Sequence, residues 1–269
     1  MNILVVQESN WLSRNPHQQP HLMERLAMRG HSVRVIDYDI DWKKENEGGI
    51  SSPRIVYNDV KKILPAVSIQ IIRPLFLRMF VFEYPALLIT HRREIIRLIG
   101  EFKLDVIIGF GILNAWIADR RARFHKIPFI YYWIDSLDIL IPEKIFRMLG
   151  HFLAKQTLQN SVKVISNNKK LSEYTINLGP ESEKTTVIGA GIDLDRFNPT
   201  IDGSAIRSAY AIGKDDIVLF FMGLLYHFSG LKEVCLELAR SRDRYRNLRI
   251  LIVGDEDAYS DLQQIRDKN

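Results

Sequence analysis

Short apolar runs alternate with stretches of helical period along most of the chain. Asn2–Val6, Ser32–Ile36, residues 105–108, Phe129–Trp133 and residues 162–165 are apolar or β-branched, the pattern of parallel strands covered on both faces. Between them, residues 21–29 place Leu22, Met23 and Leu26 at helical spacing and close at Gly30. Residues 114–124 and 143–159 also read as helices, and a third runs from a cap at Ser166 or Asn167 to about Leu178. Strand, helix, strand is the repeating unit of a doubly wound sheet. Residues 43–49 read as polar loop, and 54–57 as a short strand. From 61 to 100 the pattern predicts two or three helical pieces, interrupted at Pro65, Pro74 and Pro85. Their arginines among Leu, Ile, Phe and Met fit either an amphipathic face on a membrane or a buried helix with snorkelling arginines.

The pattern changes at residues 185–199. A β-branched run at 186–188 stops at Gly189-Ala190-Gly191, where glycine permits a sharp turn and close approach of a ligand. Asp193, Asp195 and Asn198 favour local turn bonds, and Pro199 forbids a continuing ladder. This divides the chain into domains of residues 1–198 and 199–269. Beyond it, helices are predicted at 204–210, 230–240 and 258–267, with strands at 216–222 and Leu248–Val253 that end at Gly223 and Gly254.

Composition changes this picture little. The 269 residues suit two domains, and 46% hydrophobic with 26% charged residues is ordinary for a globular protein. A formal charge of +5 fits an anionic ligand, a lipid surface or a plain solvated excess, and no nucleic-acid motif accompanies it. The single Cys235 excludes an internal disulfide and fits a reducing cytosol. Residues 1–6 carry neither basic leader nor cleavage site, so a signal peptide is not expected, and Arg73, Arg78 and Glu83 break the one long apolar window. His17 and His21 lie four apart, but Pro20 between them argues against a shared helix face, and no metal site is expected. The stretch 134–138 follows the carboxyl end of a predicted strand, where open α/β sheets bind ligands, and it puts Asp135 there.

Taken in order, Ser161-Val-Lys-Val-Ile-Ser166, Lys170-Leu-Ser-Glu173, Leu178-Gly179, Val187-Ile-Gly-Ala-Gly-Ile-Asp193, Phe197-Asn-Pro199, Val218–Gly223 and Leu248–Asp255 resemble the family-4 glycosyltransferases of the GT-B fold. The resemblance implies an α/β chain with a complete Rossmann-like N-terminal domain on the acceptor side and a partial second Rossmann-like domain for the nucleotide-sugar. It implies metal-independent, retaining transfer from a nucleotide-diphosphate sugar, with no cofactor, to a glycan or lipid-linked acceptor at the cytoplasmic membrane face. Glycine-ended strands and helix N-termini can hold a diphosphate through backbone N–H groups, which makes Gly189, Gly191, Gly223, Ser229 and Gly230 donor-side candidates. Asp135 matches the point where the family carries an acidic or histidine residue, and is the catalytic or acceptor-orienting candidate, with turn capping as the alternative.

Three departures stand against the family pattern. No glycine precedes Gly30, so the loop after the first strand has no Gly-rich cradle, and Arg14, His17 or Gln18 are the candidates to contribute there. Leu224 and Ser229 stand where the family has Arg and Lys, which leaves Lys232 in the following helix as the substitute cation. The chain stops soon after its second C-domain strand, without the family's Glu-x7-Glu motif. The expectation is therefore a truncated product, one half of a split enzyme, or a sheet closed by a homodimer or second polypeptide. The alternatives to transfer are a non-catalytic acceptor- or membrane-binding half, a degenerate remnant, or a sugar-nucleotide epimerase.

Overall fold

The computed structural model describes residues 1–14, 16–38, 49–78, 83–136 and 144–268, without the side chains of residues 83, 84 and 144–146. The chain divides into two compact units, Met1–Gly191 and Ile192–Asn269.

The first unit opens with β1 (Asn2–Val6), α1 (Gln18–Met28) and β2 (Ser32–Ile36). It continues with β3 (Ser51–Ser52), β4 (Ile55–Val60), β5 (Ile69–Arg73), β6 (Phe76–Leu77) and α2 (Glu83–Phe102). Then follow β7 (Val106–Gly109), α3 (Leu113–Phe124), β8 (Phe129–Trp133), α4 (Lys144–Asn160), β9 (Lys163–Ser166), α5 (Lys169–Leu178) and β10 (Thr185–Val187). Eight of these strands form one sheet in the order β10-β9-β8-β7-β1-β2-β5-β4, parallel throughout except that β4 runs antiparallel to β5. β3 and β6 make a separate antiparallel pair.

Alternation along each strand sends side chains to two cores. On one face Leu4, Val6, Ile36, Ile72, Ile107, Tyr131 and Trp133 pack with α2, α3 and α4. On the other, Ile3, Val5, Val35, Ile71, Ile108 and Tyr132 pack with Trp11 and with Met23 of α1. Burial on both faces is why these strands read as continuous apolar runs.

The structure corrects the sequence reading at several points. Residues 69–73 are not helical: β5 is a strand between β2 and β4, and Ile69, Ile71 and Ile72 are buried in it. Pro65 and Pro74 bracket that strand rather than break a helix, and among the described residues the helical pattern holds from Glu83 to Phe102. α1 begins at Gln18, three residues before the predicted start, because Pro20 sits in its first turn, where no intrahelical N–H is required. His17 becomes its N-cap residue and His21 lies within the helix. The cap of α5 is Asn168, whose Oδ1 accepts from Leu171 N at 2.8 Å, while Ser166 ends β9 and Asn167 donates to Ile134 O. The polar stretch from residue 43 to 48 lies outside the described residues.

The second unit holds α6 (Ser204–Ala209), β11 (Ile217–Met222), α7 (Leu231–Arg240), β12 (Leu248–Val253) and α8 (Tyr259–Lys268). β11 and β12 pair in parallel from Ile217↔Leu248 to Met222↔Val253. A small core of Leu225, Leu231, Ala258 and Leu262 fastens α7 and α8 against one face, with Phe221 and Ile252 beneath. Phe220 and Met222 remain exposed, so the sheet's other face is only partly covered. Among the described residues no helix is long and apolar enough to cross a membrane.

Candidate functional site

In the first unit β1 lies between β2 and β7, and the chain leaves it toward β2 through α1, whereas it leaves β7 toward β8 through α3. This reversal of winding opens a crevice at the carboxyl ends of β1 and β7, the usual ligand position in an open α/β sheet.

Glu8 occupies it. Its Oε1 accepts from Ile112 N at 3.1 Å and Asn114 N at 2.7 Å, taking up free N–H groups at the start of α3. Burial raises the Glu8 carboxyl above the ordinary carboxylate value, against the lowering effect of those backbone N–H groups. Gly111 turns the chain beside it at φ +85°, and a Cβ there would fall 2.7 Å from Glu8 Cδ. Only glycine combines that φ with so close an approach. Tyr131 donates its hydroxyl to Gly111 O at 2.6 Å and is held protonated by burial and by the Glu8 charge. Asn114, wholly buried, donates to Gln7 O at 2.9 Å. Buried behind it is His91, whose pKa is lowered to about 3 by desolvation.

The loop after β1 is held by side chains instead of glycines. Asp37, at the end of β2, accepts from Arg73 at 2.7 and 3.1 Å and from Trp11 N at 2.7 Å. Burial pushes the Asp37 carboxyl up, opposed by the adjacent Arg73 guanidinium. Arg73 also reaches Asn10 Oδ1 at 2.9 Å, and that oxygen accepts from Leu12 N and Ser13 N. Lys62 donates to Trp11 O and Leu12 O from the other side. Within this loop Arg14 and His17 are exposed. Gln18 Oε1 accepts from Tyr132 at 3.1 Å, and the Tyr132 ring stacks on Phe110 with centroids 4.9 Å apart.

Asp135 follows β8 at the same edge, half-buried, and accepts from Ser136 N at 2.8 Å in its own turn. Asp138 lies outside the described residues. Gly189 and Gly191 follow β10, both exposed, and a Cβ on either would meet nothing within 4 Å. Chain packing therefore does not require glycine at these two positions.

In the second unit Gly223 ends β11 against Gly254, where a Cβ would come within 1.9 Å of Gly223 O. Gly230 is the N-cap residue of α7, and Ser229 Oγ accepts from Leu231 N at 3.4 Å. Lys232 is engaged by Asp261 at 2.6 Å, and that hydrogen bond and charge raise its pKa. The structure thus gathers Glu8, Gln18, Gly111 and Asp135 along the carboxyl edge of one sheet, and Gly223, Ser229, Gly230 and Lys232 along that of the other.

The family model "Glycosyltransferase Family 4" matches residues 21–196, well over half of the chain. The chain belongs to glycosyltransferase family 4. Several solved structures resemble this family-4 chain. HepE from Anabaena, in complex with UDP and glucose, is 16% identical over 100% of this chain and 66% of its own, with a TM-score of 0.64. Sucrose-phosphate synthase from Thermosynechococcus elongatus is 16% identical over 99% of this chain and 66% of its own, at 0.67. UDP-GlcNAc 2-epimerase from Neisseria meningitidis, bound to UDP-GlcNAc, is 13% identical over 100% of this chain and 70% of its own, at 0.58. At such identities the likeness shows the fold, which is GT-B: a Rossmann-like sheet in the first unit and two strands of another in the second. The family-4 chain spans 66% of the length of the first two structures. No curated protein matches it.

The sequence reading missed Glu8, Asp37, Arg73, Asn114 and Tyr131. A signal was present for two of them: Glu8 and Asp37 are the first acidic residues after β1 and β2, the positions that a parallel sheet delivers to its carboxyl edge.

Proposed function

We propose that this family-4 chain serves glycosyl transfer from a nucleotide-diphosphate sugar to a glycan or lipid-linked acceptor, with the first unit on the acceptor side. The observation that carries this reading is the family match over residues 21–196 together with a carboxylate, Glu8, set at the switch point of that same sheet. A second carboxylate, Asp135, shares the edge and is our candidate for orienting the acceptor hydroxyl. Carboxylates suit this task because they accept hydrogen bonds from sugar hydroxyls. HepE and the epimerase were solved with UDP-sugars or their parts, which supports a nucleotide-sugar as donor, and the family match favours transfer over epimerisation.

The second unit is assigned to the donor side. Its candidates are Gly223, Ser229 and Gly230, while Lys232 is already neutralised by Asp261. Because β11 and β12 leave Phe220 and Met222 bare, we assign donor binding to these residues together with further polypeptide that covers the sheet. Two titrations test the reading. With UDP-glucose alone, calorimetry on this chain is expected to show no saturable heat below about 1 mM, an affinity of roughly 4 kcal/mol. Micromolar binding would contradict the shared donor site. Against a panel of free and lipid-linked oligosaccharides, binding is expected that Asp135→Ala weakens at least tenfold (about 1.4 kcal/mol). Absence of binding across the panel would contradict the acceptor-side assignment.

A further inference from the structure

α2, α3 and α4 pack side by side on one face of the large sheet, sharing its core. Each leads into the next parallel strand, so all three run away from the carboxyl edge, and their first turns flank the edge that carries Glu8 and Asp135. The side they turn from the sheet is unlike an ordinary solvated helix layer. Ile89 on α2 is 54% exposed, and Met148, Leu149 and Phe152 on α4 are 87, 56 and 57% exposed. Ile89, Met148 and Leu149 lie in the first half of their helices, toward that edge, and Phe152 lies at the midpoint of α4. Isolated exposed apolar residues need no explanation, but Met148, Leu149 and Phe152 are neighbours on one helix surface.

Cations accompany them. Arg92 and Arg93 are exposed on α2 with no ion-pair partner among the described residues, and Lys155 is exposed on α4. On α3 between them, Arg120 lies 4.7 Å over the ring of Trp116. The carboxylates of this layer are spent inward: Glu94 is buried with Arg54, and Asp119 is buried with Asn160. Among the described side chains of the three helices, Glu101 at the far end of α2 is the one exposed carboxylate. Bulky apolar tips flanked by unpaired arginines, with the acids withdrawn, complement an anionic lipid surface: the apolar groups enter the headgroup boundary and the cations meet the phosphates.

We propose that this face, centred on Met148, Leu149, Phe152, Arg92 and Arg93, docks the protein on an anionic bilayer. Docking sets the carboxyl edge of the first sheet at headgroup level, and so selects the lipid-linked acceptor over a free glycan. That selection rests on the proposed transfer, whereas the docking does not.

Vesicle flotation tests it, with phosphatidylcholine alone or with about 30 mol% phosphatidylglycerol. The full chain is expected to bind the anionic vesicles at least tenfold more tightly, and less so as salt is raised. At about fivefold per cation, R92Q/R93Q is expected to lose about 30-fold. M148S/F152S is expected to lose at least about tenfold. R29Q/K61Q, on residues outside this helix layer, is expected to bind as the parent does. Equal loss in R29Q/K61Q, equal binding to both vesicles, or no binding would overturn the proposal. So would a concentration-dependent dimer in sedimentation that M148S/F152S abolishes, since the face would then be an interface between copies. Circular dichroism melts of each variant show whether a loss reflects the surface or the fold. If a variant is unfolded, the single substitutions R92Q and M148S replace it, and retention of full binding by both would equally overturn the proposal.

Discussion

His91 makes the stability of the first unit depend on pH in a way that can be isolated. Its ring is buried beside Asn114 and edge-on to Tyr38 at 5.9 Å, and desolvation lowers its pKa from 6.5 to about 3. Between those values the unfolded chain binds a proton that the fold refuses, so stability falls as pH drops through 6.5 and is fully present above it. At about 1.4 kcal/mol per pH unit, the loss from this group is about 2 kcal/mol at pH 5 and approaches about 5 kcal/mol near pH 3. Glu8, Asp37 and Asp119 have raised carboxyl values and act in the opposite direction, each favouring the fold as pH falls through its own value. The parent protein alone would therefore show only a net slope. The difference between the parent and His91→Gln removes the other groups. Urea denaturation from pH 8 to pH 5, followed by tryptophan fluorescence, reads the first unit, because all four tryptophans precede residue 192. The parent is expected to lose about 2 kcal/mol more than His91→Gln over this range, whatever the variant's stability at pH 8. Parallel curves would refute a buried neutral imidazole.

Other consequences follow from the same geometry. Asp37→Ala removes the buried carboxylate that accepts two hydrogen bonds from the nearly buried Arg73 and is expected to cost about 3–5 kcal/mol in the same denaturation assay, most of it recovered in Asp37→Leu/Arg73→Met. Glu8→Ala removes the acceptor for two N–H groups at the start of α3 and is expected to cost about 1–2 kcal/mol, with faster amide exchange at Ile112 and Asn114; Glu8→Gln, which keeps an acceptor, is expected to cost less. Gly254→Ala drives a Cβ into Gly223 O and is expected to cost about 3 kcal/mol or more, read as rapid proteolysis of the second unit. Gly189→Ala, which meets nothing within 4 Å, is expected to stay within about 0.5 kcal/mol of the parent.

How much of this was legible beforehand depends on how local the signal was. β1, β2, β7, β8, β9 and both strands of the second unit are apolar on two faces, so a short window suffices to find them. β5 is not legible locally because Ile69-Gln-Ile-Ile-Arg73 sits in a long apolar stretch with scattered arginines, and its identity is set by pairing with β2 and β4. The glycine at 111 shows no motif, since what demands it is the Glu8 side chain from more than a hundred residues earlier. Asp37 and Arg73 likewise come together only through the β2–β5 pairing. Lys232 stands out in the sequence by its place in a motif, whereas its partner Asp261 lies on another helix. Family membership, by contrast, rests on the order of many weak motifs, which a linear reading captures well.

Acceptor binding at the carboxyl edge of the first sheet is tested most directly by hydrogen–deuterium exchange. It is measured with and without a saturating lipid-linked oligosaccharide that the panel titration shows to bind. Protection is expected in peptides covering residues 7–14, 110–113 and 134–136. Protection confined to residues 31–34, 58–60 and 66–70, at the opposite edge, would contradict it.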